Sequence, residues 1–267
     1  MSDDRPIGVF DSGVGGLTVV RALIDLMPNE SIVYYGDTAR GPYGPRSRDE
    51  VRSYVDDVAQ TLVKEGVKLL VVACNSASSA GLDHIRDAYP DIPLVEVIEP
   101  AVRAAIRATR NRRIGVIGTE LTIASGAYAR AVALTRENVE LFSRACPRFV
   151  EFVERGQTGG AELIVAHEYL QPLIDVDVDT LILGCTHYPM LTGVITFVMG
   201  RDVVQISSAE ETARDVFVLL TEQELARAPR ERPTYRFMCS GDPTSFGKLG
   251  RRFLGPEIAG VEAYPWT

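Results

Sequence analysis

Residues 69–76 read LLVVACNS, and residues 181–187 read LILGCTH. Each stretch is a short apolar run followed by a small residue, a cysteine and small polar residues. In a parallel α/β sheet such residues lie at the carboxyl ends of the strands, where ligand crevices form. We therefore predict that Cys74 and Cys185 face one small substrate from two halves of the chain.

Strand and helix signals alternate along the whole sequence, which indicates an α/β fold built from βαβ units. The alternation predicts doubly wound parallel sheets. Segment 113–119, RIGVIGT, also resembles segment 7–12, IGVFDS. Residues 114 and 7 of these segments are 107 positions apart, and the two cysteines are 111 apart. These similar offsets predict two similar α/β lobes.

Local signals predict the individual elements. A glycine-rich turn at 11–16 leads into a first helix, and Ser47 with Glu50 forms a capping box at the start of a second. We expect one helix over 75–88 and an exposed helix end and linker over 221–232. Further helices are predicted over 162–169 and from 208 onward. The predicted strands are 7–10, 31–35, 68–73, 93–97, 113–119, 139–142, 180–184, 202–206 and 235–239.

Composition narrows the class of protein. The 267 residues are 46% hydrophobic and 24% charged, which is typical of a globular protein with a substantial core. A net charge of −8 argues against nucleic acid or an anionic membrane as partner. We expect no membrane span and no secretory signal. Four cysteines without a CxxC pair predict neither a disulfide framework nor a structural zinc site, and they favour reduced thiols and a cytoplasmic location.

The two cysteines are candidates for acid–base chemistry. A thiol has a reference pKa near 8.5, and the amides and dipole at a helix start stabilise the thiolate. A single cysteine is more often a small buried hydrophobic residue. Two cysteines at equivalent points of two lobes favour a functional role for Cys74 and Cys185. Cys146 and Cys239 lack this setting, and we interpret both as structural.

Polar residues near these strands are candidates for ligand binding. Asp11 can orient or tune a neighbouring thiol and Ser12 can offer a hydroxyl, although both types also cap helices. The nearby glycines do not follow the GxGxxG spacing, so a nicotinamide cofactor is not indicated. The loop with Tyr43 and Gly44 is either a carboxylate-binding segment or a plain Pro/Gly turn.

Matched polar sets follow the two cysteines. Asn75 and Ser76 follow the first, and Thr186 and His187 follow the second. These types supply the donors and acceptors that the carboxylates and ammonium of an amino acid require. His187 is a candidate proton relay beside the second cysteine, with a structural histidine as the alternative.

These motifs together resemble the glutamate racemase family. The resemblance spans nearly the whole chain, in the family's order, at residues 7–16, 42–44, 74–76, 185–187 and 241–243. It implies a cofactor-independent enzyme that interconverts L- and D-glutamate, with the D-isomer used for peptidoglycan. It also implies two α/β lobes around a buried cleft that holds the active site.

The resemblance implies roles for individual residues. Cys74 takes the α-proton of D-glutamate and Cys185 that of L-glutamate, while Asp11, His187 and Glu154 assist. Implied substrate contacts are Asp11, Ser12, Tyr43, Gly44, Asn75, Ser76, Thr186 and His187. The chain departs from the family at Ser76, where threonine is usual, at Glu151, where proline is common, and at 206–209, which lacks the usual aspartate.

The resemblance also implies organisation and partners. The first lobe is expected over 1–98 plus 208–267, because the C-terminal segment returns to it, and the second over 99–207. Family members are usually dimers, and some bind DNA gyrase. The alternatives are an aspartate or hydantoin racemase, a malonate decarboxylase with one catalytic thiol, a two-lobed binding protein without catalysis, and a redox protein. The paired thiols disfavour the decarboxylase and the binding protein, and the lack of CxxC disfavours the redox protein.

Overall fold

The computed structural model describes residues 2–156, 160–229 and 232–266. Within these ranges the chain forms two parallel β-sheets with helices packed on their faces. None of the helices in these ranges is both long and apolar enough to cross a membrane. The lobe and linker predictions also include positions outside the described residues, namely 1, 157–159, 230, 231 and 267.

Strands β1 to β9 occupy the positions that the apolar runs indicate, with small shifts at their ends, whereas β10 is not predicted from the sequence. In chain order they are β1 (Ile7–Asp11), β2 (Ile32–Gly36), β3 (Leu69–Val72), β4 (Leu94–Glu96), β5 (Arg113–Gly118), β6 (Glu140–Ala145), β7 (Thr180–Gly184), β8 (Val204–Ser207), β9 (Tyr235–Cys239) and β10 (Glu262–Ala263). β1, β3 and β7 are buried along their whole length. Continuous burial is expected of parallel strands with helices on both faces.

The two sheets repeat one strand order. The first sheet runs β10-β9-β2-β1-β3-β4 and the second runs β6-β5-β7-β8. When β9 and β10 are left out of the comparison, β5, β6, β7 and β8 occupy the same positions in the second sheet as β1, β2, β3 and β4 occupy in the first. The pairs β1 with β5 and β3 with β7 are the segments whose sequences resemble each other. The prediction of two similar doubly wound lobes is therefore confirmed.

The helices connect successive strands across the faces of the sheets. They are α1 (Leu17–Leu26), α2 (Arg48–Lys64), α3 (Asn75–Ala80), α4 (Asp83–Ala88), α5 (Ile98–Ala108), α6 (Glu120–Ala124), α7 (Ala127–Thr135), α8 (Arg148–Arg155), α9 (Ala161–Asp175), α10 (Thr192–Met199), α11 (Ser208–Glu222) and α12 (Pro243–Leu254). Two 3₁₀ turns cover Tyr188–Leu191 and Gly255–Glu257.

Local capping explains where two of the helices begin or end. The predicted capping box is confirmed, because the Ser47 hydroxyl accepts from the Glu50 amide at 3.3 Å and the Glu50 carboxylate accepts from the Ser47 amide at 3.0 Å. The prediction of one helix over 75–88 is wrong. Gly81 has φ +96°, a conformation open to glycine, and it ends α3 before α4 begins.

A buried ion pair joins three segments of the first lobe. The side chain of Lys68 is fully buried just before β3, and its Nζ lies 2.6 Å from the carboxylate of Glu30. The same ammonium donates to the carbonyls of Asp3 at 2.9 Å and Leu225 at 2.7 Å. The pair therefore ties the N-terminal segment and the chain after α11 to the edge of the sheet.

Replacing Lys68 by methionine should reduce the free energy of unfolding by about 3–5 kcal/mol, because the Glu30 carboxylate would remain buried without its partner. Urea unfolding would measure the loss. Lys64→Met is the matched control, since Lys64 lies at the exposed end of α2 and, among the described residues, donates a hydrogen bond to Gln60 alone. Equal losses in the two variants would show that the buried pair has no special weight.

Candidate active site

A cavity of about 310 Å³ lies where the carboxyl ends of the two sheets meet. Both candidate cysteines line it, and neither forms a disulfide. Its walls come from the turns after β1, β2 and β3 in the first lobe and after β5, β6 and β7 in the second. The lining residues are Ser12, Pro42, Tyr43, Gly44, Pro45, Cys74, Asn75, Ser76, Thr119, Glu120, Pro147, Val150, Glu151, Glu154, Cys185, Thr186 and His187.

The cavity includes every substrate-contact and catalytic residue expected from the sequence except one. Asp11 lies behind the wall at the end of β1, where it is 1% exposed. Its carboxylate accepts from the Gly13 amide at 2.8 Å and from the Thr186 hydroxyl at 3.2 Å. Asp11 thus reaches the cavity through Thr186, across the boundary between the sheets.

Cys74 is the N-cap residue of α3, as the strand-to-helix prediction requires. Its sulfur accepts from the Ala77 amide at 3.5 Å, and it lies 3.7 Å from the Ser12 hydroxyl. Burial, followed by the nearby Asp11 carboxylate, raises the pKa of Cys74 to about 12. In the unliganded site Cys74 is therefore a neutral thiol at physiological pH.

Cys185 has a different environment from the one the sequence predicts. A 3₁₀ turn, Tyr188–Leu191, follows it and leads into α10, instead of an α-helix that begins at the thiol. The neighbour of this thiol is instead His187, whose Nδ1 lies 3.9 Å from the Cys185 sulfur. The Nε2 atom of His187 lies 3.2 Å from Glu154 Oε1. The sulfur, the imidazole and the carboxylate thus form a chain of three polar groups.

The His187 imidazole is protonated in this arrangement. Burial alone would lower its pKa, but the hydrogen bonds with Cys185 and Glu154 and the charge of Asp11 outweigh burial and raise the pKa to about 10. The Cys185 sulfur therefore has a cationic hydrogen-bond donor as its neighbour. The two thiols therefore have distinct surroundings, a helix start for Cys74 and a histidine for Cys185.

The loop after β2 presents its backbone to the cavity. The Tyr43 hydroxyl is bonded to the buried carboxylate of Asp37, so this hydroxyl is already engaged. Asp37 also accepts from Arg40 and from the Trp266 indole, each at 2.7 Å. Gly44 lies against the second lobe, since a Cβ there would be 2.9 Å from the Thr119 side chain. Asp37 thus fixes the loop from behind.

Contacts between the lobes involve residues that the sequence reasoning missed. The Ser76 hydroxyl lies 2.8 Å from that of Thr119, and the Asn75 amide donates to Tyr128 at 2.9 Å. Thr119 could be found from the sequence, because the offset of 107 positions between the two similar segments aligns it with Ser12. Tyr128 had no such signal, since it lies inside a helix that the sequence analysis did not predict.

The wall of the cavity has an unusual charge pattern for an anionic ligand. Among the described lining residues none is lysine or arginine, and three are glutamates, at positions 120, 151 and 154. Carboxylates of a ligand would therefore be held by amides, hydroxyls and the His187 imidazolium. In the described part of the chain, no group of three or more His, Cys, Asp or Glu side chains could hold a metal ion.

Comparison with known proteins agrees with this site. Residues 9–215 match the family of Asp/Glu/Hydantoin racemases. A glutamate racemase from Parafrankia sp. is 57% identical over 262 residues, which cover 97% of this chain and 94% of the relative. The chain therefore belongs to the Asp/Glu/Hydantoin racemase family and, within it, to the glutamate racemases.

Solved structures give the same result for the fold. A glutamate racemase from Bacillus anthracis superposes with a TM-score of 0.92 at 42% identity, covering 98% of this chain and 97% of that one. A glutamate racemase from Francisella tularensis, solved in complex with D-glutamate, also has a TM-score of 0.92, at 37% identity and 98% coverage of both chains. The protein is thus an enzyme of the amino-acid isomerase class with the two-lobed racemase fold.

Gly15→Ala should lower racemase activity by on the order of 100-fold, the effect of moving reacting groups by about 1 Å. A Cβ at Gly15 would overlap the Thr186 hydroxyl and lie 2.6 Å from His187 Nδ1, which forces the turn after β7 away. Gly193→Ala is the control, since a Cβ there meets nothing within 4 Å. Unaltered turnover in Gly15→Ala would contradict this reading of the contact.

His187→Gln should flatten the pH dependence of stability on the alkaline side. A group whose pKa rises on folding stabilises the protein fully below its unfolded value of about 6.5, and this contribution is lost as pH rises through about 10. Urea unfolding at pH 6, 8 and 10 should show a steeper decline in the wild type than in the variant.

His84→Gln is the control for this titration, because His84 lies on α4 and pairs with Asp56 at 3.0 Å, outside the cavity lining. It should keep the wild-type decline. The same decline in all three proteins would show that His187 does not hold the extra proton.

Proposed function

We propose that this protein interconverts L- and D-glutamate by removing the α-proton on one face and returning a proton on the other. The observation that carries the proposal is the presence of two unpaired thiols, Cys74 and Cys185, in one cavity between the lobes. Glutamate is supported by relatives named glutamate racemase and by the Francisella tularensis structure with D-glutamate.

The reaction needs one base and one acid at the same time. We propose that Cys74 removes the proton of D-glutamate while Cys185 donates to the opposite face, and that the roles exchange for L-glutamate. Each member of such a pair contributes on the order of 10² to 10⁴ in rate. The raised pKa of the Cys74 thiol supports a resting state in which Cys74 carries its proton.

Neighbouring groups would stabilise each sulfur as a thiolate when it has lost its proton. The Ala77 amide and the Ser12 hydroxyl lie within hydrogen-bonding distance of the Cys74 sulfur, so a thiolate formed there is stabilised at once. On the other side, we propose that His187 stabilises the Cys185 thiolate, with Glu154 holding the imidazole. Asp11 would act indirectly, by orienting Thr186.

Substrate binding would use fixed dipoles. We propose that the amides of Tyr43 and Gly44 and the side chains of Ser12, Asn75 and Ser76 hold the carboxylates and the ammonium group, together with Thr186 and His187. The α-carboxylate gains negative charge when the α-proton leaves, and preorganised donors in a water-poor cavity stabilise that charge. Ser76 offers the same hydroxyl as the threonine that is usual in the family.

Purified protein without added cofactor should abolish the circular dichroism of L-glutamate and leave that of L-aspartate unchanged. In deuterated water the product should carry deuterium at Cα. Cys74→Ala and Cys185→Ala should each reduce racemisation by at least about 100-fold while the fold is retained, because each removes one of the two proton-transfer groups.

Cys239→Ala is the matched control, since Cys239 is a buried cysteine that does not line the described cavity. It should retain wild-type turnover. Full activity in either of the two cavity variants would remove the two-base mechanism, and racemisation of aspartate instead of glutamate would change the substrate.

We further propose the biological setting that this activity implies. D-glutamate is the product expected to enter peptidoglycan, and a mechanism that needs a free thiol and a thiolate favours the reducing cytoplasm. We propose lobes of 1–98 plus 208–267 and of 99–207, supported by the membership of β9 and β10 in the first sheet. A homodimer and binding to DNA gyrase stay predictions from the family.

A further inference from the structure

Tyr128 is a buried side chain that no step of the proposed reaction uses. It lies on α7 in the second lobe and is 2% exposed. Its hydroxyl oxygen accepts from Asn75 Nδ2 at 2.9 Å, and Asn75 directly follows Cys74. Tyr128 therefore reaches across the boundary between the lobes to the first thiol turn.

The same tyrosine lies against the second thiol turn. Gly184 directly precedes Cys185, and a Cβ at Gly184 would be 3.1 Å from both Cε2 and the hydroxyl oxygen of Tyr128. Because Gly184 has no side chain, the phenol ring of Tyr128 can pack against this turn. Tyr128 therefore contacts both Asn75, the residue after Cys74, and Gly184, the residue before Cys185.

The Asn75 side chain needs a hydrogen-bond partner to fix the orientation of its amide group. The χ2 torsion of asparagine has a broad energy profile, so the side chain does not fix its own amide plane. Asn75 lines the cavity and is 2% exposed, and its Oδ1 is buried without a hydrogen-bond partner among the described residues. A buried acceptor left open in this way is suited to a donor from a ligand, such as the ammonium group of an amino acid.

We propose that Tyr128 is a positioning residue, which packs against Gly184 and restrains the Asn75 amide for substrate binding. The proposal depends on the proposed racemisation of glutamate. Tyr128 does not touch the substrate in this scheme. Its contribution passes through Asn75, so its loss should weaken binding of the ground state and the transition state alike.

Tyr128→Phe keeps the ring against Gly184 and removes only the hydroxyl. It should raise the KM for both L- and D-glutamate about fivefold and change kcat less, as expected when uniform binding is lost. Thr212→Val is the control, because it removes a fully buried hydroxyl that bonds a carbonyl within α11. This control should keep the wild-type KM, and thermal unfolding would show whether the two variants are equally stable.

A double-mutant cycle separates positioning from general packing. Asn75→Ala should raise KM more than Tyr128→Phe does, and adding Tyr128→Phe to Asn75→Ala should change KM less than twofold, because the tyrosine would have nothing left to position. Independent, multiplying effects of the two substitutions would overturn the proposal. A wild-type KM in Tyr128→Phe would also overturn it.

A measurement on the wild type covers the case in which Tyr128→Phe does not fold. The chain has four asparagines, so selective ¹⁵N labelling gives four side-chain amide signals, and Asn75→Ala identifies one of them. That signal should be protected from hydrogen exchange without ligand and should shift on addition of D-glutamate. An unprotected Asn75 amide would overturn the proposal. Protection with an inactive wild type would instead contradict the proposed function.

Discussion

The direct contact between the turn after β1 and the turn after β7 determines the width of the cavity. Gly15 lies so close to Thr186 and His187 that a Cβ there would overlap the Thr186 hydroxyl and crowd the imidazole, and the Asp11 carboxylate accepts from that same hydroxyl at 3.2 Å. The Thr18 hydroxyl lies 3.4 Å from the Thr186 carbonyl in the same contact. Because Gly15, Asp11 and Thr186 are buried, these contacts hold the lobe that carries the second thiol close to the turn after β1.

The charged groups are distributed unevenly around the cavity. The described lining residues of the cavity include neither lysine nor arginine, so the groups available to an anion are neutral donors and the His187 imidazolium. The one positive group, the His187 imidazolium, lies beside Cys185 instead of on the side of Cys74. The two thiols thus differ in charge environment.

The sequence predicted those features of the fold and site that depend on neighbours along the chain. The apolar runs before Cys74 and Cys185 indicated buried strands, and parallel topology then brought their carboxyl ends to one cavity. Features that depend on contacts between distant segments were missed. Tyr128 lies in a helix that the sequence analysis does not predict, and only the folded structure brings it to Asn75. The turn after Cys185 was also misjudged, because Pro189 is compatible with the start of either an α-helix or a 3₁₀ turn.

The repeated strand order has a historical meaning. Four strands in one arrangement, carried twice in a single chain with a thiol after the third strand of each set, are what fusion of two copies of an ancestral unit would leave. Two such units would first have met as identical partners around a twofold axis, with one sulfur from each. In such a pair the two sulfurs would be equivalent by symmetry, whereas in this chain Cys74 lies at the start of α3 and Cys185 lies beside His187.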